Sequence, residues 1–160
     1  VMIAEHVGGS VEGFAALMNQ EAAAMGATRS HFVNPNGLPD ENHYTCVYDM
    51  YLIFSNAVKN DTFVSIIGTT SYDVTYTDAS GEAVTHTWEN TNQYLTGNAT
   101  TPDGFQIVGG KTGTTGEAGY CLVLYSYNPS GQPIISIVFK ADGKSNLYLL
   151  MNEMLQGFAI

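Results

Sequence analysis

Lys111 stands in the stretch IVGGKTGTTGEAGY, residues 107–120, among side chains with almost no bulk. The chain carries only 5 Lys and Arg residues against 15 Asp and Glu, so a cation at this place invites a chemical reason. Glycines and small hydroxyl residues let backbone and side chain approach a ligand closely. A phosphate loop of the form GxxxxGK[ST] is the first candidate, and its spacing fails: position 105 is Phe105, and Gly104 is one residue early. Its context fails too, because AGYCLVLYSY alternates like a strand and opens no helix N-terminus to hold phosphate. The second candidate is Lys-Thr-Gly on the edge strand of a serine acyl-transfer site. There the lysine brings charge to a substrate carboxylate and a proton relay, its neighbouring hydroxyl donates a hydrogen bond, and glycine lets a peptide lie on the strand. The next backbone N–H stabilises a developing oxyanion, a contribution of about 3–4 kcal/mol per donor.

Other chemistry is thinly represented. Cys46 and Cys121 have no CxxC or metal spacing. Both lie in apolar segments, which predicts two buried thiols and leaves a disulfide as the alternative. His6, His31, His43 and His86 show no i,i+4 pair and no HExxH, so neither a metal site nor a cofactor is expected. The net charge of −10 repels phosphate backbones and argues against a nucleic-acid partner. No apolar run approaches membrane-spanning length, and no basic-then-apolar leader is present in the sequence.

The elements that must position Lys111 are legible from period and punctuation. With 160 residues, 44% hydrophobic and 12% charged, the chain suits one domain with a sizeable core. VMIAEHVGG opens uncapped and already apolar, as though inside a helix. Ser10 caps a helix with Val11, Phe14, Ala15, Met18, Ala22 and Met25 on one face, ended by Gly26. SHFVNPNGLPDENHY reads as an ordered loop, and the only arginine, Arg29, precedes it in a structural role. A second helix follows Thr45 with Val47, Met50, Tyr51, Phe54 and Val58 on one face, and Asp61 caps a third through Phe63, Val64 and Ile67. The period then becomes two. Tyr72, Val74 and Tyr76 form one strand and Val84, His86 and Trp88 another, turning at Asp78–Gly81. Phe105–Thr112, Tyr120–Tyr127 and Pro133–Lys140 are three more strands, the last two joined at Asn128–Gly131. Asp142 caps a final helix with Leu147, Leu150, Met151, Met154, Leu155 and Phe158 inward. The class is α+β, an antiparallel sheet with flanking helices.

Beyond the bare KTG, the chain resembles the serine D-alanyl-D-alanine carboxypeptidases, the low-molecular-mass penicillin-binding proteins. The likeness runs through AEHVGGSVEGFAALMNQEAAAMGATRSHFVNPNGLPDENHYTCVYDM, NTNQYL, GGKTGTTGEAGYCLVLYS and PIISIVF. It implies a partial β-lactamase/transpeptidase-like fold, a location in the cell envelope outside the cytoplasm, and peptidoglycan stem peptides ending in D-Ala-D-Ala as substrate. A β-lactam is implied as a ligand of the full-length parent. By this resemblance Lys111 is the motif lysine, and Thr112 holds the terminal carboxylate. Gly113 gives close backbone approach, and the N–H of Thr114 forms half of the oxyanion hole. Many family members carry an arginine just before the last helix. Lys144 stands at about that place and would supply charge without a bidentate fork.

The nucleophile motif is missing. Lys59, Lys111, Lys140 and Lys144 are preceded at the S-x-x-K distance by Asn56, Val108, Ile137 and Ala141. Ser126-Tyr127-Asn128 matches Ser-x-Asn literally, but follows KTG where the family places it before, and is read as chance. The chain is therefore expected to be the C-terminal part, residues 1–160, of a carboxypeptidase catalytic domain, supplying one wall of the groove and inactive alone. The other reading is a non-catalytic peptidoglycan-binding or structural remnant. With the first strands missing, PIISIVFK is expected to form an exposed sheet edge prone to self-association.

Overall fold

The structure, a computed structural model, describes residues 1–157; Phe158, expected on the last helix, lies outside them. Four helices come first: α1 (Met2–Gly8), α2 (Val11–Ala24), α3 (Val47–Ala57) and α4 (Asp61–Gly68). A ribbon of β1 (Ser71–Thr77) and β2 (Ala83–Glu89) and the short α5 (Gln93–Thr96) follow. The strands β3 (Gln106–Thr115), β4 (Gly119–Tyr127) and β5 (Pro133–Ala141) lead to α6 (Lys144–Gly157). The class is α+β, with the three long strands antiparallel in the order β3-β4-β5. No helix among the described residues is long and apolar enough to cross a membrane.

Local chemistry sets the boundaries. The Ser10 hydroxyl accepts the Gly13 N–H at 2.9 Å and starts α2. Gly26, at φ +84°, carries the chain out of it. Asn60, not Asp61, caps α4: its backbone is extended and its side chain accepts from the Phe63 N–H at 3.1 Å. Asp61 is already helical, where its charge favours the dipole instead. Asp142 likewise falls short of the cap position of α6, standing two residues before Lys144, and its carboxylate accepts from the Asn146 side chain.

The sheet separates two cores. On one face Leu122, Leu124 and Val138 pack with Leu147, Tyr148, Met151 and Leu155 of α6. On the other, Val123 and Ile137 meet Phe54 of α3 and Ile67 of α4. Leu150, placed inward by its spacing, is 38% exposed, and Tyr148 is buried in its stead. In α3, Val47 and Tyr51 are exposed although their spacing points them inward. Asp49 explains that rotation. It is buried, and it accepts from the Arg29 backbone N–H at 2.7 Å and the Ser30 hydroxyl at 2.8 Å. Burial raises its pKa, but those bonds, the Cys46 thiol and the Arg29 charge outweigh burial and hold the carboxyl below its ordinary value.

Cys46 and Cys121 are free and half-buried, not buried as their apolar neighbours suggest. Cys46 occupies the cap position of α3. Cys121 lies opposite Gly113 in the sheet, and a glycine has no side chain to cover it.

Candidate active site

β3 has β4 as its only strand neighbour among the described residues, so its outer edge is open. The register pairs Lys111 with Val123 and Gly113 with Cys121, and between them Thr112 with Leu122. Val123 belongs to the core under α3 and α4, so Lys111 and Gly113 face those helices. Thr112 and Thr114 point to the α6 side. The two glycines before Lys111 have a packing reason. A Cβ on Gly109 would stand 2.6 Å from the Ile67 carbonyl oxygen, and one on Gly110 would stand 2.4 Å from that of Val123. Gly68 approaches Val108 as closely from the other side. The end of α4 thus lies directly on the β3 backbone. Gly113 differs, with nothing within 4 Å of where its Cβ would be.

A cleft of about 890 Å³ opens beside this edge. Lys111, Thr112, Gly113, Thr114 and Lys144 all line it, so every site residue expected from the sequence reaches one place. Two of the chain's five basic side chains therefore share one cleft in a molecule of net charge −10. The Lys111 ammonium is exposed and donates to the Thr112 carbonyl oxygen. Lys144 is the first residue of α6, where the helix dipole disfavours a cation.

The opposite wall is the loop between α2 and α3, which contributes Asn34, Gly37 and His43. Asn19 of α2 holds this loop with both ends of its amide, donating to the Phe32 carbonyl at 2.8 Å and accepting the Phe32 N–H at 2.7 Å. His31 and Tyr44 close it with a β-bridge. His43 Nδ1 accepts the Val33 N–H at 3.1 Å. Burial lowers the His43 pKa, with Asp40 opposing, which favours the neutral ring.

Thr91 is a further cleft residue to which sequence reasoning assigned no role. Its hydroxyl and that of Thr112 are 2.5 Å apart, which fixes the Thr112 rotamer. Thr91 is anchored in turn. The Asn90 side chain accepts the Asn92 N–H at 2.9 Å and donates to the Thr69 carbonyl at 2.8 Å. Beyond it, the Gln93 N–H donates to the Tyr148 hydroxyl at 2.8 Å, and the Tyr94 hydroxyl to Asn152 at 2.7 Å. Burial raises both phenol pKa values and keeps them neutral. The available signal was NTNQYL itself, three side chains able to cap and bond backbone directly before a short apolar turn.

The literal Ser-x-Asn at Ser126 does not reach the cleft. Ser126 is fully buried, on the sheet face that carries Leu124 and Leu122.

A family model described as D-alanyl-D-alanine carboxypeptidase matches residues 1–143. The chain is 33% identical over 156 residues to the D-alanyl-D-alanine carboxypeptidase DacF of Bacillus subtilis, covering 97% of this chain and 37% of that protein. It is 30% identical to a D-alanyl-D-alanine carboxypeptidase of a Streptomyces species, covering 94% of this chain and half of the relative. The solved Streptomyces K15 DD-transpeptidase superposes with a TM-score of 0.79 at 30% identity, over 94% of this chain and 55% of that one. The chain thus spans about half or less of the relatives it matches.

Proposed function

The chain belongs to the D-alanyl-D-alanine carboxypeptidase family, and from that premise we propose that it forms one wall of a serine carboxypeptidase groove. The substrate is a peptidoglycan stem peptide ending in D-Ala-D-Ala, in the cell envelope. The reaction runs through an acyl-enzyme whose serine lies outside these 160 residues. The peptide lies along the open edge of β3 as an added strand. Lys111 supplies charge and part of the proton relay, and Thr112, oriented by Thr91, donates to the terminal carboxylate. Gly113 admits the peptide, the Thr114 N–H serves the oxyanion, and Lys144 adds charge at the carboxylate end. A β-lactam, which presents a carboxylate beside an acyl group, fits the same groups. The observation that carries this reading is the convergence of Lys111, Thr112, Gly113, Thr114 and Lys144 on one cleft.

The absence of S-x-x-K favours one other reading, a non-catalytic peptidoglycan-binding or structural remnant. Intact-mass spectrometry with penicillin separates them. The 160-residue chain alone should gain no adduct and release no D-alanine. The full-length protein should gain one acyl group per molecule. A full-length protein that neither acylates nor releases D-alanine would decide for the remnant, and a stoichiometric adduct on the isolated chain would place the nucleophile within it.

A further inference from the structure

The ribbon of β1 and β2 alternates in sequence but departs from the usual burial of the apolar face. Its register sets Tyr72 opposite Trp88, Val74 opposite His86 and Tyr76 opposite Val84. These six side chains share one face, since directly paired residues point the same way. The valines are half-buried, but Tyr72 is 66% exposed, Trp88 63% and Tyr76 50%. The His86 ring meets the indole edge-on with centroids 4.8 Å apart, which props the ring of Trp88 on the ribbon. The other face is polar, tied by Thr75 to Thr85 and by Thr87 to Asp73. An amphipathic ribbon would ordinarily bury its aromatic side. This one presents it to solvent, as surfaces built for a partner do.

We propose that this face binds the glycan strand of peptidoglycan by ring stacking, holding the polymer while its stem peptide occupies the β3 cleft. The inference rests on the carboxypeptidase reading above for the choice of polymer. Three observations favour a sugar polymer. First, none of the six residues is a carboxylate, an ammonium or a guanidinium. The face therefore suits a neutral chain of N-acetylated sugars rather than a polyelectrolyte. Second, the apolar C–H face of a pyranose carries slight positive charge and complements the negative face of an aromatic ring. Tyr72 and Tyr76 stand about 14 Å apart along the strand at the usual rise, a spacing for an extended ligand rather than a single ring. Third, the ribbon is continuous with the cleft. The Asn90 N–H donates to the Thr70 carbonyl at 2.8 Å and closes the ribbon's root, and the next residue, Thr91, touches Thr112. Trp88 is three residues from Thr91, about 10 Å of extended chain.

The test uses the full-length protein that contains these residues, with glycan strands freed of stem peptides by an amidase and with the lactyl carboxylates this exposes capped as methylamides, so that the probe is neutral. The wild type should co-sediment with the strands. The double variant Tyr72→Ala, Trp88→Ala should bind on the order of tenfold more weakly, and Trp88→Phe should retain most binding. The double variant should also release D-alanine from a soluble, sugar-free pentapeptide at the wild-type rate, and more slowly from peptide attached to polymer. Peptide-free glycan carries no D-Ala-D-Ala, so binding to it is read independently of catalysis. A catalytically silent protein that still binds these strands would defeat the carboxypeptidase reading alone. No retention of the wild type, or equal retention of the double variant, would overturn the proposal. So would a dimer, or vesicle binding, that these substitutions abolish while glycan retention persists. If the double variant loses its cooperative melt, Tyr76→Ser alone is judged by the same outcomes.

Discussion

At the scale of single residues, Lys111 owes its importance to what surrounds it. Its neighbours Thr112, Gly113 and Thr114 are small, its strand edge is open, and Lys144 lines the same cleft. On the proposed reading, replacing it removes charge from the carboxylate end and from the proton relay, and little packing is lost because the side chain is exposed. Lys111→Ala in the full-length protein should therefore lower kcat/KM for D-Ala-D-Ala hydrolysis by on the order of 10² or more. Its thermal midpoint should stay near that of the wild type. Steady-state kinetics on a folded variant check both statements, and unchanged kinetics would return Lys111 to the class of ordinary surface lysines. Thr91 belongs to the same scale. It touches Thr112, and on the proposed reading it positions the hydroxyl that meets the substrate.

Between elements, the decisive contact is α4 against β3. Helices and strands normally meet through side chains, but here Gly68 and Gly109 remove them and backbone lies on backbone. This close approach sets how far the KTG edge stands from the helical wall of the cleft. A methyl group at Gly109 would fall 2.6 Å from the Ile67 carbonyl oxygen, an atom held within the end of α4 and not the tip of a flexible side chain. Gly109→Ala should cost about 1–3 kcal/mol by overpacking, read by urea unfolding. Since α4 or β3 must shift to admit the methyl, KM should rise along with the loss of stability. A variant of wild-type stability would show that the two elements slide past each other freely.

For the whole molecule, the sheet ends at β5, whose outer edge has no strand partner among the described residues. Its residues Ile134, Ile135 and Phe139 are only half-buried, and Pro133 and Lys140 guard only its ends. Further apolar surface lies on α1 and α2, where Val7 and Leu17 are exposed. A 160-residue polypeptide with these surfaces should self-associate, by pairing of β5 edges or by exchange of α6. Sedimentation velocity across a wide concentration range checks this. A strictly monomeric, cooperatively unfolding species would show that the chain closes its own core.

Much of this was open to reading before any coordinates. Local period and punctuation placed the long helices and strands within a few residues, because the alternation of Tyr72 to Tyr76 and the capping by Ser10 are properties of neighbours in sequence. KTG with its flanking text likewise identified the family that the comparisons then found. Short-range chemistry chose Asp61 as a cap where the structure uses Asn60, since both residue types serve and only backbone geometry selects one. Nor did it reveal that α3 turns Val47 outward. That rotation follows from Asp49 reaching the Arg29 and Ser30 groups, a contact between segments about twenty residues apart. Thr91 remained without a role for the same reason: its partner Thr112 is distant in sequence and adjacent only after α5 docks on α6. Alternation on the ribbon likewise said which six side chains share a face, but the packing of the other elements determined that no described residue covers it. Period is a local property of the chain; burial depends on which distant segment arrives to exclude water.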